Sequence, residues 1–504
     1  MQKFISFKDV FRPKLFSTLR SYSKEKFLQD LLAGWIVAVV AIPLAIAFGI
    51  SSGVGPTEGL VTAIIAGFII SAFGGSKVQI GGPTGAFIVI IYGIIQQHGL
   101  TGLLIATIMA GILLIFMGLF KLGNVIKFVP YPVIIGFTAG IAVTIFTTQM
   151  NDLFGMGIED APADFISKWI CYFEHLRDIN WWAFAVGIAS LLIIIFSTKI
   201  NKKIPGSLVA IVLMTLVVWL LRKFGGVNSI VTIGDLYTLP SGMPAPHFPA
   251  LELKEGQTLI QLVQDLFPSA FTIAMLGAIE SLLSCVVADS MVNSKHRSNM
   301  ELVAQGAGNI ASVLFGGIPA TGAIARTAAN AKNGGRTPIS GMVHSVVLLL
   351  VILFLMPYAE LIPMPAIAAI LFMVAYNMSE WRHFVHICRF SALSDVLVLV
   401  VTFVLTVVFD LVVAIAVGLV LAAVLFMKRM SDVTSVRRWN PQNDMKYGKA
   451  IPDGTVVYEI NGPMFFADAD KFLDFSLDDD TKCVILRMSN VPSIDATAMK
   501  NIEL

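Results

Sequence analysis

Between residues 32 and 427 the chain alternates long apolar runs with short polar or Gly/Pro-rich breaks. A helix of about 20 apolar residues crosses the hydrocarbon of a bilayer, so these runs read as membrane spans. Fourteen are expected, seven in each half. The first seven lie near 32–51, 59–73, 83–96, 100–119, 132–149, 181–198 and 205–221. The second seven lie near 267–292, 299–315, 322–332, 338–356, 365–378, 394–409 and 411–427. The runs at 83–96 and 322–332 are too short to cross alone as helices.

Composition agrees: of 504 residues 56% are apolar and only 13% charged, against about a quarter charged in soluble domains. Soluble, disordered and fibrous classes are excluded. The four cysteines (Cys171, Cys285, Cys388, Cys483) are widely spaced, with no CxxC pair, and suggest neither a disulfide framework nor a thiolate metal site. The first 30 residues are mixed and basic, unlike a cleavable signal peptide.

Charge position sets an expected orientation. With the N-terminus cytoplasmic, the inner loops hold Lys77, Lys121, Lys127, Lys199, Lys202, Lys203, Lys295, Arg297, Lys332, Arg336, Arg382 and Arg389. The outer loops hold only Lys168, Arg177, Arg222, Lys223 and Lys254, and the N-terminal segment adds Lys3, Lys8 and five more basic residues. Basic residues stay on the cytoplasmic side, so both termini are expected inside.

Seven spans per half is an odd number, so the second half is inverted relative to the first. Phe73-Gly74-Gly75 precedes the short third span and Phe315-Gly316-Gly317 the short tenth. Small-residue stretches follow each: KVQIGGPTGAF at 77–87 and IPATGAIARTAAN at 318–330. Interrupted segments at matching places in two halves point to a transporter site. Val78 to Gly82 and Ile318 to Gly322 read as short extended pieces, each leading into a half-helix, with Pro83 and Thr84 suited to the start of the first. Opposed half-helices would aim two N-termini at one spot and make it attractive to an anion. Glycine that merely allows tight helix packing is the simpler alternative.

Two ionisable groups lie deep within spans. Glu280 sits in FTIAMLGAIESLLSCVVADS, and Arg326 just inside the tenth segment. Charge in hydrocarbon is costly, so each is expected to face a partner or a wet cavity. The Arg326 fork suits the oxygens of carboxylate, sulfate or bicarbonate. Ser284, four residues after Glu280, shares its helical face and is a candidate for a proton or cation site. A Glu280–Arg326 ion pair that only fixes helix register is the structural alternative. His383 and His386 have helical spacing beside Trp381, Arg382 and Arg389, which reads as a membrane-surface helix rather than a metal site. The remaining histidines are scattered in loops or near span ends. HExxH, GxSxG and P-loop patterns are absent, and neither a cofactor nor nucleic-acid binding is indicated.

After Met427 the composition turns polar. VVYEINGPMFFADADKFLDF and CVILRMSNVPSIDATAMKNIEL then alternate short apolar strands with helical patterns, as at the start of a soluble strand–helix–strand domain. The pattern stops part-way at Leu504, so this domain is expected to be incomplete.

GWIVAVVAIPLAIAFGISSGVGPTEGL, IGGPTGAF, MLGAIESLLSCVVADS and FGGIPATGAIARTAAN together resemble the SulP/SLC26 family of anion transporters. NGPMFF and IDATAM resemble the opening part of a STAS domain. The resemblance implies a core domain (spans one to four and eight to eleven) moving against a gate domain (spans five to seven and twelve to fourteen), usually in a homodimer. It places the anion between spans three and ten, at Thr84 and Gly85 and at Ala325 and Arg326. Thr321 and Gly322, at the second break, complete the candidate substrate-binding set, with Glu280 and Ser284 as the coupling-ion set. Glu280 with IARTAANAKNGG and TPIS most resembles the bacterial C4-dicarboxylate branch, where the acidic residue is associated with proton coupling. Sodium-coupled bicarbonate members carry Asp at the Glu280 position and lack the arginine. Asp495-Ala496-Thr497 resembles a STAS loop that can be phosphorylated in other proteins.

The expected fold is thus an α-helical polytopic membrane protein of fourteen segments in a 7+7 inverted repeat, with two half-helices preceded by short strands and a partial α/β STAS domain. Its expected divisions are a cytoplasmic segment 1–30, repeats at 31–221 and 267–427 around an extracytoplasmic loop 222–266, and a tail 428–504. The expected function is secondary transport of a small inorganic or organic anion by alternating access, most readily proton-coupled uptake of succinate or fumarate, with sodium as the other coupling ion. Sulfate or sodium-coupled bicarbonate transport and an uncoupled anion channel are alternatives. A nucleobase carrier of like architecture fits the Arg326 charge less well, and a membrane enzyme lacks a visible catalytic set. The expected location is the cell inner (plasma) membrane, in contact with membrane lipid.

Overall fold

A computed structural model of the chain describes residues 11–124, 129–158, 162, 164–200, 205–239, 242–246, 258–409, 411–438, 454–467 and 480–503. Lys3, Lys8, Lys127, Lys202, Lys203 and Lys254 of the charge pattern, and most of the FADADKFLDF stretch, lie outside these residues. Contacts divide the chain into two units: Met1–Arg389 with Leu399–Ile415, and Phe390–Val398 with Ala416–Leu504.

The first unit is a helical bundle. Among the described residues, eight helices of the chain are long and apolar enough to cross a membrane, beginning with Lys24–Ser51 and Pro56–Phe73. Local sequence sets their ends. Ser23 caps Lys24–Ser51, its side chain accepting from the Lys26 N–H, and Pro56 occupies the first position of the next helix. The helix Leu259–Val292 opens on a capping box in which Thr258 and Gln261 bond each other's backbone N–H. It ends at Asn293, in the left-handed conformation that asparagine tolerates. The expected third and fourth spans form one helical run, Ile88–Leu119, broken at Gly99 where the backbone is non-helical.

The packing residues are small. A methyl group on Gly111 would lie 2.8 Å from the Gly306 carbonyl oxygen, and one on Gly306 only 2.3 Å from the Gly111 oxygen. Glycine at both places lets helices Ile88–Leu119 and Ser298–Leu314 approach to backbone contact, as membrane interfaces built on dispersion require. Helices Lys24–Ser51, Pro56–Phe73 and Ile339–Ala359 pack together, while Met364–Met378 packs on Tyr131–Thr148 and Trp181–Ile200. Trp181, Trp182 and Phe196 are exposed on this unit, as expected where the neighbour is lipid rather than water.

At the two breaks the chain is extended, as the glycine and proline content requires. Gly81–Gly82 pairs antiparallel with Thr321–Gly322, Gly81 opposite Gly322 and Gly82 opposite Thr321. The Ala323 N–H extends the pair by donating to the Ile80 carbonyl at 2.9 Å. So short a pair leaves flanking backbone groups that hydrocarbon cannot solvate, and buried side chains satisfy them. Asn309 both accepts from the Ala320 N–H (2.9 Å) and donates to its carbonyl (2.8 Å). Thr62 accepts from the Ile318 N–H and Ser312 donates to the Ile318 carbonyl. Across the pair, Thr327 accepts from the Ile80 N–H and Asn330 donates to the Val78 carbonyl.

The second unit carries a three-stranded sheet in the order Ser435–Arg438, Thr455–Asn461, Cys483–Asn490; the first pair is antiparallel, the second parallel. Ile460, Met464 and Ala498 form its small core. Helix Ala496–Glu503 follows, its first turn held by Asp495, which accepts from the Ala498 N–H. Thr497 is exposed on it. The segment expected as the helix between the two parallel strands lies outside the described residues.

Asn309→Ala would orphan both polar groups of Ala320. Each buried unpaired group costs about 1–3 kcal/mol, so a loss of about 2–6 kcal/mol is expected, read as a lowered melting midpoint in detergent. An unchanged midpoint would show that Ala320 finds other partners.

Candidate functional site

The two half-helices start where the strand pair ends. The first opens as a single tight turn, Gly85–Phe87, with Thr84 at its N-cap, and continues as Ile88–Leu119. The second, Ile324–Lys332, has Ala323 at its N-cap. Neither cap residue makes a side-chain capping bond. The first intrahelical acceptors serve Phe87 and Thr327, so the N–H groups of Gly85 and Ala86, and those of Ile324, Ala325 and Arg326, precede them. Paired strands bring these two sets of free donors to one place, the arrangement in which helix ends attract an anion.

The Thr84 hydroxyl, released from capping, donates to Glu280 Oε2 at 3.0 Å. This bond ties the start of the first half-helix to the middle of helix Leu259–Val292. Glu280 is half-buried, and Thr84 is 7% exposed. Arg326 is 2% exposed, and its Nη2 donates to the Pro83 carbonyl at 2.6 Å. Its Nη1 has no protein partner. Among the described residues, no ion pair joins Arg326 to Glu280. The register-fixing pair considered from sequence is therefore not what holds either group; each is bound to the first break instead. Arg326 places its charge on Gly82 and Pro83, reaching the anion-attracting region from the side.

The other expected site residues divide into two sets. Gly85 is buried and Ala325 exposed, both within the free-donor turns. Thr321 and Gly322 face helix Leu259–Val292: the Thr321 hydroxyl donates to the Gly277 carbonyl (3.0 Å) and meets Ser281 Oγ (2.7 Å), which also accepts from the Gly322 N–H. Ser284 donates to Thr327 Oγ1 at 3.0 Å, one helical turn beyond Glu280 and engaged in the same brace. His383, on helix Trp381–Phe390, meets Glu380 at 3.0 Å, away from these groups.

Sequence reasoning passed over a fully buried carboxylate. Glu301 is fully buried and accepts from the N–H groups of Gly75 and Ser76 and from the side chains of Gln79 and Gln305. Glu301, Gln305, Asn309 and Ser312 are all fully buried and follow one another at spacings of four, four and three. A polar stripe at helical period on a span was the signal that could have found them.

The model of the sulfate permease family matches residues 27–402, which includes both half-helices, Glu280 and Arg326. The chain belongs to the sulfate permease family. A Bacillus subtilis (strain 168) protein named as a putative sulfate transporter is 46% identical over 484 residues, covering 95% of this chain and 88% of the relative. The bicarbonate transporter BicA of Synechocystis is 32% identical over 501 residues, covering 94% and 85%. The solved transmembrane domain of a cyanobacterial BicA aligns with a TM-score of 0.68 at 32% identity, covering 80% of this chain and 98% of that domain. A murine SLC26 family member A9 anion transporter aligns over 100% of this chain and 87% of its own, with a TM-score of 0.85 and 18% identity; this likeness shows the fold. As a sulfate permease family member, the chain is a multi-pass membrane transporter of anions and not an enzyme.

Gly82, beside the guanidinium, leaves no room for a side chain. Its φ of 149° lies where side chains are strained, and a methyl group there would sit 2.6 Å from Arg326 Nη1. Gly82→Ala is expected to impose strain of about 1–3 kcal/mol and to move the guanidinium. Anion uptake into proteoliposomes should fall by about tenfold or more, the factor that 1.4 kcal/mol represents. Uptake at the wild-type rate would show that the guanidinium position is immaterial.

Proposed function

We propose that this protein couples the uptake of a compact oxyanion to proton movement through Glu280, with the two half-helix ends and the Arg326 charge as the binding surface. The observation that carries this reading is the Thr84–Glu280 hydrogen bond of 3.0 Å beside the free N–H groups of Gly85 and Ala86. A carboxylate there repels an anion when ionised and not when protonated. Proton and anion would therefore load together, and the protonated carboxyl could still hydrogen-bond with Thr84. Arg326 supplies the permanent positive charge that keeps the loaded site close to neutral.

Sulfate and bicarbonate are the first substrates to test, since relatives covering most of the chain bear those names. A C4-dicarboxylate, suggested by the motif around Arg326, brings two separated carboxylates to a site with one buried guanidinium, which supports it less. Alternating access would move the half-helix core, built on spans one to four and eight to eleven, against spans five to seven and twelve to fourteen. The packing of Met364–Met378 on Tyr131–Thr148 and Trp181–Ile200 supports spans five, six and twelve as moving together. Ser284 is read as a brace for the coupling site, and Thr321 and Gly322 as the backbone frame of the substrate site. The plasma membrane, inward-facing termini and a homodimer complete the proposal.

The test is labelled sulfate uptake into proteoliposomes, with bicarbonate, succinate and fumarate as competitors, with and without an inward proton gradient. The gradient is expected to accelerate wild-type uptake. Glu280→Gln, which imitates the protonated carboxyl, should keep sulfate binding and lose the acceleration. A Glu280→Gln protein that still responds to the gradient would remove Glu280 from coupling, and steady flux insensitive to the gradient in the unaltered protein would indicate a channel.

A further inference from the structure

His344 lies on helix Ile339–Ala359 and is fully buried, and neither of its ring nitrogens has a protein partner. The apolar run around it gives no hint of this, since a histidine near the start of a span reads as interfacial. Buried polar groups are nearly always paired with protein or with internal water. Two imidazole nitrogens left without protein partners at one buried position therefore need an explanation.

The neighbourhood supplies one. A methyl group on Gly82 would meet Arg326 Nη1 at 2.6 Å and the Ala63 Cα at 3.3 Å, so the guanidinium, Gly82 and Ala63 share one small region. Ser345, the residue after His344, donates to the Ala63 carbonyl at 3.4 Å. Helix Ile339–Ala359 thus packs on helix Pro56–Phe73 beside the guanidinium, and a methyl group on Gly67 would meet both Ser345 Oγ at 3.0 Å and the Gly81 carbonyl oxygen at 3.1 Å. Arg326 Nη1 likewise lacks a protein partner. A guanidinium offers only donors, whereas a neutral imidazole offers one donor and one acceptor. A water molecule accepting from Nη1 and donating to the imidazole acceptor satisfies both, and polar walls of this kind are where internal waters are held.

We propose that His344 is a positioning residue that fixes the Arg326 guanidinium through one or two internal water molecules. Pro83 holds one end of the fork and the water-linked imidazole the other. Held at both ends, the charge stays on Gly82 and Pro83, where both half-helix starts feel it. Released at the His344 end, the fork is free to swing toward the Glu280 carboxylate and compete with the anion. The proposal rests on the anion site described above.

The test compares His344→Leu and His344→Gln in proteoliposomes, with labelled sulfate and labelled bicarbonate as probes. His344→Leu removes both nitrogens; the amide of Gln keeps a donor and an acceptor. His344→Leu is expected to raise the half-saturating anion concentration about tenfold, the effect of losing one hydrogen bond to a charged group, with maximal rate little changed. His344→Gln should restore most of the affinity. In an Arg326→Lys background, which keeps the charge and removes the fork, His344→Leu should add nothing. Anion-induced shifts in melting midpoint of the detergent-purified variants report the same affinities where flux is too slow to measure. Equal loss of maximal rate in both His344 variants, unchanged affinity in His344→Leu, or a His344→Leu effect that survives in Arg326→Lys would each overturn the proposal. A failure of the anion site itself is recognised separately: the unaltered protein would then bind neither probe.

Discussion

Backbone that leaves its helix within a bilayer must find hydrogen-bond partners inside the protein, and the structure is organised around meeting that demand at two breaks. Each break supplies part of what the other lacks, through the pairing of Gly81–Gly82 with Thr321–Gly322. The remainder comes from polar side chains on the surrounding helices: Thr62, Asn309, Ser312, Thr327 and Asn330. Because these partners come from three different helices, the strand pair is fixed from several directions. The half-helix starts that follow it inherit that fixity. An anion site made of backbone N–H groups needs no side chain at the point of contact, but it does need such a frame.

Charge is placed with the same economy of contact. Glu280 and Arg326 come from different helices, and each is tied to the first break, by the Thr84 hydroxyl and the Pro83 carbonyl respectively. Joining them to each other would neutralise the pair and fix the helices, yet would leave nothing for a substrate. Holding them apart leaves a carboxyl that can take up a proton and a guanidinium with a donor still unpaired by protein. Such an arrangement costs stability, and it leaves both groups available to what binds at the breaks.

Much of the fold was legible in the sequence because hydrophobic length is a coarse and robust signal. The paired breaks were legible for the same reason that they work: Gly-Gly-Pro at 81–83 and Pro-Ala-Thr-Gly at 319–322 cannot propagate a helix, and they recur after matching Phe-Gly-Gly steps. The polar frame was harder to see. Glu301 near the start of a span looks like an ordinary first-turn acid, and its burial depends on the chain at Gly75 and Ser76 folding over it. The destination of the Thr84 hydroxyl was also hidden. A threonine before a helix predicts a cap, and only tertiary packing brings Glu280 close enough to take that bond instead. The fork of Arg326 was expected to address a ligand directly, whereas one of its nitrogens is committed to Pro83, a carbonyl left without a helical donor by the break itself.

The account turns on an anion resting between the two helix starts. Selenate, a heavy isostere of sulfate, makes this directly visible by anomalous diffraction from the crystallised protein. The account predicts a selenium peak within hydrogen-bonding reach of the backbone nitrogens of Gly85 or Ala86 and of Ala325 or Arg326. A peak at any other position in protein that transports selenate, with none between the half-helices, would contradict it.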